Sequence, residues 1–433
     1  MTSFAARYLE KNKIVPVITS LPEQSPRLII VIPCYKEPDL LRSLQSLFDC
    51  RRPAFLTEVI VVINHPEDAS EAVRKQNEKS LRDALSWVGN HPDPRLQFHI
   101  IYCPDLPVKD AGVGLARKTG MDEALYRFAR FGTAQGIIAG FDADSVCDSN
   151  YLEEIGKAFE DPKVNGASIY YEHPTEGTEF DRLVYDGIIQ YELHLRYLNQ
   201  AMRYTSFPYS YHTVGSSFAV RASAYAKQGG MNKRKAGEDF HFLHKIMPLG
   251  YTGINTTRVI PSPRLSDRVP FGTGASIRQW VGRDEKALYT YAIDPFLDLK
   301  KLFSAVPSFF RCSQDTLTGV FDSLSPPLQE WLVQMDYLRN IAQVDRNSAT
   351  QDAFVKRFFS WFNALEMVKF LNFSTSWYPR QPSFMAAGQL VPLLGYRCPE
   401  KDAAGLLGFY RSIERGRMPE TCMVDAKSLD QVL

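Results

Sequence analysis

The chain has 433 residues, 45% of them apolar and 23% charged, enough to bury a full core and too apolar for a disordered protein. Its 50 basic residues against 49 acidic ones leave a formal charge of +1, so no overall field draws it to nucleic acid or to an anionic membrane, and nucleic acid is not an expected partner. The seven cysteines are scattered and form no CxxC pair, which excludes a disulfide framework and a zinc ribbon and suits a reducing compartment.

No apolar run approaches the roughly 18 residues needed to span a bilayer, and the start, MTSFAARYLEKNKIVPV, lacks the continuous apolar stretch of a leader. A cytoplasmic protein is expected, peripheral at most to the inner face of a membrane. From residue 27 onward short β-branched runs alternate with amphipathic segments, the pattern of parallel strands joined by helical crossovers. RLIIVI (27–32), EVIVVI (58–63), QFHIIY (97–102) and GIIAGF (136–141) read as four strands, apolar throughout because both faces are covered. Helices are predicted at 39–48, 69–88 and 112–131. A doubly wound sheet of this kind binds ligands at the carboxyl ends of its strands. Polar residues follow those ends: Pro33, Cys34, Tyr35, Lys36 and Glu37 after the first, Asn64 and His65 after the second, Asp142 and Asp144 after the fourth.

Asn150 with Glu153 reads as a reciprocal helix cap. IYYEHP (169–174) and SSFAVR (216–221) are expected strands on either side of a long helix at 181–204, and GEDFHFLHKI (237–246) is a further helix. Past residue 283 the strand pattern fades. Segments 326–344 and 351–373 have helical period, with Val355, Phe358, Phe362 and Leu365 as one stripe in the second. The division expected is an N-terminal extension (1–26), a catalytic domain (27–290) and a mainly helical C-terminal region (291–433).

Two aspartates one residue apart, in GFDADSVCDSNYL (140–152), carry the sharpest chemical signal. Asp142 and Asp144 suit a hard cation, Mn²⁺ or Mg²⁺, bound through carboxylates and substrate phosphate oxygens; the plainer alternative is an acidic turn ahead of a helix. GVGLARKTG (112–120) has Arg117 where a dinucleotide fingerprint needs its third glycine, and GTGAS (272–276) lacks the lysine of a P-loop, so neither motif is present. Arg117 and Lys118 could clamp a diphosphate or line a solvated helix face. Glu238 and Asp239 open a helix, where its dipole favours carboxylates; Asp239 is also placed to act as a general base. Lys233, Arg234 and Lys235 read as a solvated loop or a phosphate-closing one. His241 and His244 lack metal-binding partners and read as packing residues. Nothing resembles GxSxG, so a covalent nucleophile is unsupported.

In order, VIPCYKEPDLLRSLQSL, GVGLARKTGMDEAL, GFDADSVCDSNYL and VGSSFAVRASAYAKQGGMNKRKAGEDFHFLHKI resemble a family-2 glycosyltransferase of bacterial type. The likeness runs over residues 27–283, about 60% of the chain. It implies an α/β fold, the A-type nucleotide-sugar transferase fold, in which a Rossmann-like, mostly parallel sheet has helices on both faces, here with a C-terminal helical appendage. It further implies that Pro33, Tyr35, Glu37, Asn64, Arg117 and Asp142 line the nucleotide-sugar pocket. Asp144, with Asp142 and Asp267, would hold the metal. Asp239 would be the base beside Glu238, with Gly215, Ser216 and Ser217 on the acceptor side.

The implied activity is metal-dependent, inverting transfer of a single sugar from a UDP- or GDP-linked donor to a saccharide or lipid-linked acceptor, as in polysaccharide biosynthesis. Asn64 and His65 stand where many relatives have two aspartates, which leaves the base open. SIRQWVGRDE (276–285) holds Arg278, Gln279 and Trp280 out of the order that processive synthases use. The alternatives are a sugar nucleotidyltransferase, against which PCYKEPD lacks a glycine-rich loop, and a silent carbohydrate-binding or scaffold protein. Phe358, Phe359, Trp361 and Phe362 with Lys356 and Arg357 would suit an interfacial helix or, as the plainer reading, a packed one.

Overall fold

Val, Ile and Leu fill Leu28–Cys34 and Thr57–Pro66 because both strands lie inside the sheet with no exposed face. In this computed structural model, which describes residues 3–266, 272–282, 287–397, 402–417 and 422, the elements follow in chain order. They begin α1 (Ser3–Lys11), β1 (Leu28–Cys34), α2 (Leu40–Phe48), β2 (Thr57–Pro66), α3 (Glu71–Asn90), β3 (Leu96–Leu106) and α4 (Val113–Phe131). Then come β4 (Ile137–Gly140), β5 (Val146–Cys147), α5 (Tyr151–Ala158), β6 (Gly166–Tyr171), α6 (Arg182–Tyr204), β7 (Phe218–Arg221), α7 (Ala222–Lys227), α8 (Glu238–Ile246) and β8 (Tyr251–Ile260). The rest comprises α9 (Thr273–Val281), β9 (Tyr289–Thr290), α10 (Asp294–Ala305), α11 (Gln314–Asp322), α12 (Pro326–Gln334), α13 (Tyr337–Arg346), α14 (Gln351–Trp361), α15 (Ala364–Phe373), β10 (Gln381–Pro382), α16 (Ser383–Leu393) and α17 (Ala403–Glu414).

Two units result, residues 1–174 with 211–275, and 175–210 with 276–433. The first is an eight-stranded sheet in the order β3-β2-β1-β4-β7-β6-β8-β5. Strands β3, β2, β1 and β4 are parallel, and β7 runs antiparallel to both β4 and β6. This is the expected mostly parallel sheet with helical crossovers. Pairing of β1 with β4 ends at Val31 and Gly140, so β1 runs on alone beside β2 to Cys34. Pro33 lies beyond that last β4 pair, where its missing N–H costs the ladder nothing on that side. Strand β8, which YTGINTTRVI hides behind Gly, Asn and Thr, forms because β6 and β5 flank it. Residues before β1 pack on α4: Tyr8 donates to Asp122 (2.7 Å), and the Val17 amide to Glu123 (2.8 Å).

The second unit is helical around α6. Buried Glu192 accepts from Arg196 (2.8 Å) and Arg411 (2.7 Å), tying α6 to α17. The predicted helix at 351–373 is two helices, since Asn363 turns its side chain to the amides of Leu365 (2.9 Å) and Glu366 (3.3 Å) and starts α15. The segment 326–344 breaks likewise at Asp336, whose φ is 52°. The buried stripe is Phe354, Phe358, Phe359 and Phe362, while Leu365 is 39% exposed. Phe359 and Phe362 meet Phe303 at 5.1 and 5.3 Å between ring centres. The aromatic face considered for a membrane is thus taken up by this core. Among the described residues no helix is long and apolar enough to cross a bilayer.

Candidate active site

The described candidate residues lie in the first unit: Pro33, Tyr35, Glu37, Asn64, Asp142 and Asp144 at the carboxyl ends of β1, β2 and β4, Arg117 on α4, Ser216 and Ser217 before β7, and Glu238 and Asp239 at the start of α8. The chain turns sharply after β4: Phe141 is buried, its amide donating to Val31 (3.0 Å), and the Ser145 amide closes the turn on the Asp142 carbonyl (3.1 Å). Ala143 is buried between the two aspartates, which pair with different arginines. Asp142 accepts from Arg117 (2.7 Å), and Asp144 forms an ion pair with Arg264 (2.9 Å). Asp142 thus faces a guanidinium from α4, and Asp144 one from the segment after β8.

Arg117, 2% exposed, reaches from α4 to Asp142 with one nitrogen and to Glu238 with another. It ties the aspartate turn to the start of α8. Its Nε is buried without a hydrogen-bond partner among the described residues. Two glycines allow this packing. A β-carbon on Gly215 would lie 2.5 Å from an Arg117 nitrogen, and one on Gly114 would lie 2.1 Å from the Arg234 carbonyl oxygen. Gly114 therefore serves the approach of the 232–236 loop rather than a dinucleotide. That loop is pinned by Asn232, which donates to the Glu238 carbonyl (3.0 Å), and by Lys233 facing Asp110 (3.5 Å).

Asp239 follows Glu238, is half-buried, and accepts from the Phe240 amide (2.7 Å). Burial first, and the neighbouring Glu238 second, push its carboxyl up to about 6, against the pull of Arg117. That places it within the range useful to a general base. His244 packs edge-on against Phe240 (4.5 Å), and burial pushes it down to about 4, which keeps it neutral. Ser216 and Ser217 are buried in the turn before β7, their hydroxyls 3.3 Å apart.

Glu37 is 1% exposed, with one oxygen accepting from the Asp39 amide (2.9 Å) and from Arg264 (2.7 Å), and the other also from Arg264. Tyr35 is half-buried on the same segment. Asn64 and His65 are buried, and Asn77 of α3 holds both, donating to the Asn64 carbonyl (2.9 Å) and lying 3.1 Å from His65 Nδ1. Burial and Arg74 hold His65 below the usual histidine range. The expected cap at Asn150 is absent: its amide donates to the Thr256 carbonyl (3.0 Å), and Glu153 pairs with Arg51 (2.7 Å). Both side chains have nearer partners than each other's backbone. Asp267 lies outside the described residues.

Sequence reasoning missed Arg264. The signal was faint: a single arginine after two prolines in IPSPR, made significant only by pairing Val146 of β5 with Ile260 of β8. Glu37 and Asp144 together offer hard oxygen donors of the kind Mn²⁺ or Mg²⁺ takes, and a cationic group already stands between them. Among the described residues no three His, Cys, Asp or Glu side chains gather closely enough to hold a metal unaided. A metal there would also need oxygens from its substrate.

Residues 137–281, which span β4 to the end of α9, match the profile of glycosyl transferase family group 2. No curated protein matches the chain. Among solved structures, it is similar to S. aureus TarS 1–349 in complex with UDP-GlcNAc (15% identity, 76% of this chain and 89% of that one, TM-score 0.40). It is likewise similar to the mannosyltransferase PcManGT from Pyrobaculum calidifontis in complex with GDP-Man and Mn²⁺ (16%, 79% and 93%, TM-score 0.35). A third is GalNAc-T7 with UDP, GalNAc and Mn²⁺ (13%, 82% and 59%, TM-score 0.38).

Proposed function

We propose that this chain, whose residues 137–281 match the profile of glycosyl transferase family group 2, is a glycosyltransferase that moves one sugar from a nucleoside diphosphate to a saccharide or lipid-linked hydroxyl with inversion. The observation that carries the reading is Asp239, a carboxyl raised to about 6 beside the Asp142–Arg117–Glu238 chain of charges at the strand ends. A base of that strength can take the proton of an acceptor hydroxyl at neutral pH. The hydroxyl then attacks the anomeric carbon from the face opposite the leaving diphosphate, and a single displacement inverts the centre. Arg117 fixes Asp142 and Glu238 so that donor and base keep one geometry.

Asp144, with Glu37 nearby, would hold Mn²⁺ or Mg²⁺, which supplies neutralisation of the charge developing on the leaving diphosphate. Pro33, Tyr35, Glu37 and Asn64 would shape the pocket for the base, UDP or GDP, and Ser216 and Ser217 the acceptor side.

The test is a thermal-shift panel of UDP, GDP, dTDP and CMP, with and without Mn²⁺, on wild type and Asp144→Asn. A ligand at a hundred times its Kd stabilises by about 2.7 kcal/mol. One nucleoside diphosphate should shift the wild type with metal and leave the variant unmoved. No shift by any nucleotide would favour the silent, carbohydrate-binding reading.

A further inference from the structure

Arg264 binds both carboxylates that face the proposed metal position. It forms a two-pronged pair with Glu37, lies 2.9 Å from Asp144 through the same Nη2, and stands 3.9 Å from Asp39. Its place is built rather than incidental. The antiparallel pair Val146–Ile260 brings the exit of β8 beside the aspartate turn. Pro261 and Pro263, both buried, then restrict the backbone that delivers the guanidinium. The side chain is 15% exposed, and its carboxylate partners hold it firmly protonated, which an always-charged arginine would be in any case.

Among the described residues three carboxylates surround this one guanidinium, a surplus of negative charge that still attracts a divalent cation. The Asp144 carboxylate that pairs with Arg264 is also the one proposed to hold the metal. Both cations cannot hold it in full, whereas Glu37 can keep Arg264 through two prongs after Asp144 has been given up.

We propose that Arg264 is a built-in competitor of the divalent cation, neutralising Asp144 while the donor site is empty and releasing it when metal and nucleotide arrive. The inference rests on the proposed metal reading of Asp144. Its consequence is an enzyme that takes up little free metal and takes it up together with the nucleoside diphosphate.

The experiment titrates Mn²⁺ into the full chain and follows loss of the free-Mn²⁺ electron paramagnetic resonance signal, with no nucleotide and then with UDP or GDP. Wild type, Arg264→Gln and Arg264→Lys are compared, with melting curves to show that each is folded. Removing a charge-assisted competitor should tighten nucleotide-free Mn²⁺ binding by about tenfold or more in Arg264→Gln. Arg264→Lys, which keeps the charge without the fork, should fall between the two. Unchanged or weaker Mn²⁺ binding in Arg264→Gln overturns the proposal. So does tighter nucleotide-free binding in Arg264→Lys than in Arg264→Gln, a pair that also serves should the glutamine variant fold poorly. If no form binds Mn²⁺ even with nucleotide, the metal reading of Asp144 fails and this inference fails with it. If Arg264→Gln binds Mn²⁺ more tightly yet no nucleotide binds to any form, the competition stands and the donor reading fails.

Discussion

Asp239→Asn separates the electrostatic cost of the proposed base from its chemical role. A carboxyl raised from 3.8 to about 6 is disfavoured as the anion by about 3 kcal/mol, at about 1.4 kcal/mol for each tenfold in proton affinity. Asp239 is only half-buried, and solvent screening brings the expected cost to about 1–2 kcal/mol. Because the folded value is the higher one, the stabilising contribution is complete below pH 3.8 and is lost as the pH rises through about 6. Asparagine has the same outline, can still accept from the Phe240 amide, and carries no charge. Urea unfolding followed by tryptophan fluorescence should therefore find Asp239→Asn more stable than wild type by about 1–2 kcal/mol at pH 8, a gain that shrinks as the pH is lowered towards 4. Transfer should be lost while donor binding persists. A variant no more stable at pH 8, or a fully active one, would refute the reasoning.

Wild-type transfer should fall about tenfold per pH unit below about 6, where Asp239 takes up its proton, as a pH profile of kcat/KM would show. Arg117→Ala leaves Glu238 and Asp142 without their shared cation and should cost about 3–5 kcal/mol by denaturant unfolding; an unchanged midpoint would mean that the pair is not formed. Gly114→Ala puts a methyl 2.1 Å from the Arg234 carbonyl oxygen and should destabilise by about 1–3 kcal/mol, with faster amide exchange across 232–236 as the local signature. Full-length protein should not co-sediment with liposomes through α14, since Phe358, Phe359 and Phe362 are buried in the helical core; co-sedimentation lost on Lys356→Glu would contradict that.

Local periodicity made much of the fold legible. β1, β2 and β4 are apolar runs buried on both faces as expected, whereas β3, at the sheet edge, is only partly buried; α4 was readable to within a residue. β8 was not, because its glycine and asparagine, both poor strand formers, interrupt the β-branched run that β6 and β5 hydrogen-bond in the sheet. The break at Asn363 was hidden for the opposite reason: Phe362 and Leu365 keep helical spacing across a cap that an asparagine makes locally.

The site divides the same way. Asp142, Asp144, Glu238 and Asp239 were legible because each acidic pair is a short local motif, one after a strand and one at a helix start. Their partners were not, because Arg117 to Glu238 spans 121 positions and Glu37 to Arg264 spans 227. By itself the sequence determined the strand–helix alternation and the carboxylates that follow β4 and open α8, since burial pattern and motif order are local properties. Only the tertiary structure decided that Arg117 joins the aspartate turn to the proposed base and that Arg264 stands between Glu37 and Asp144. Long-range charge pairing depends on strand order and register, and no window of the chain contains those.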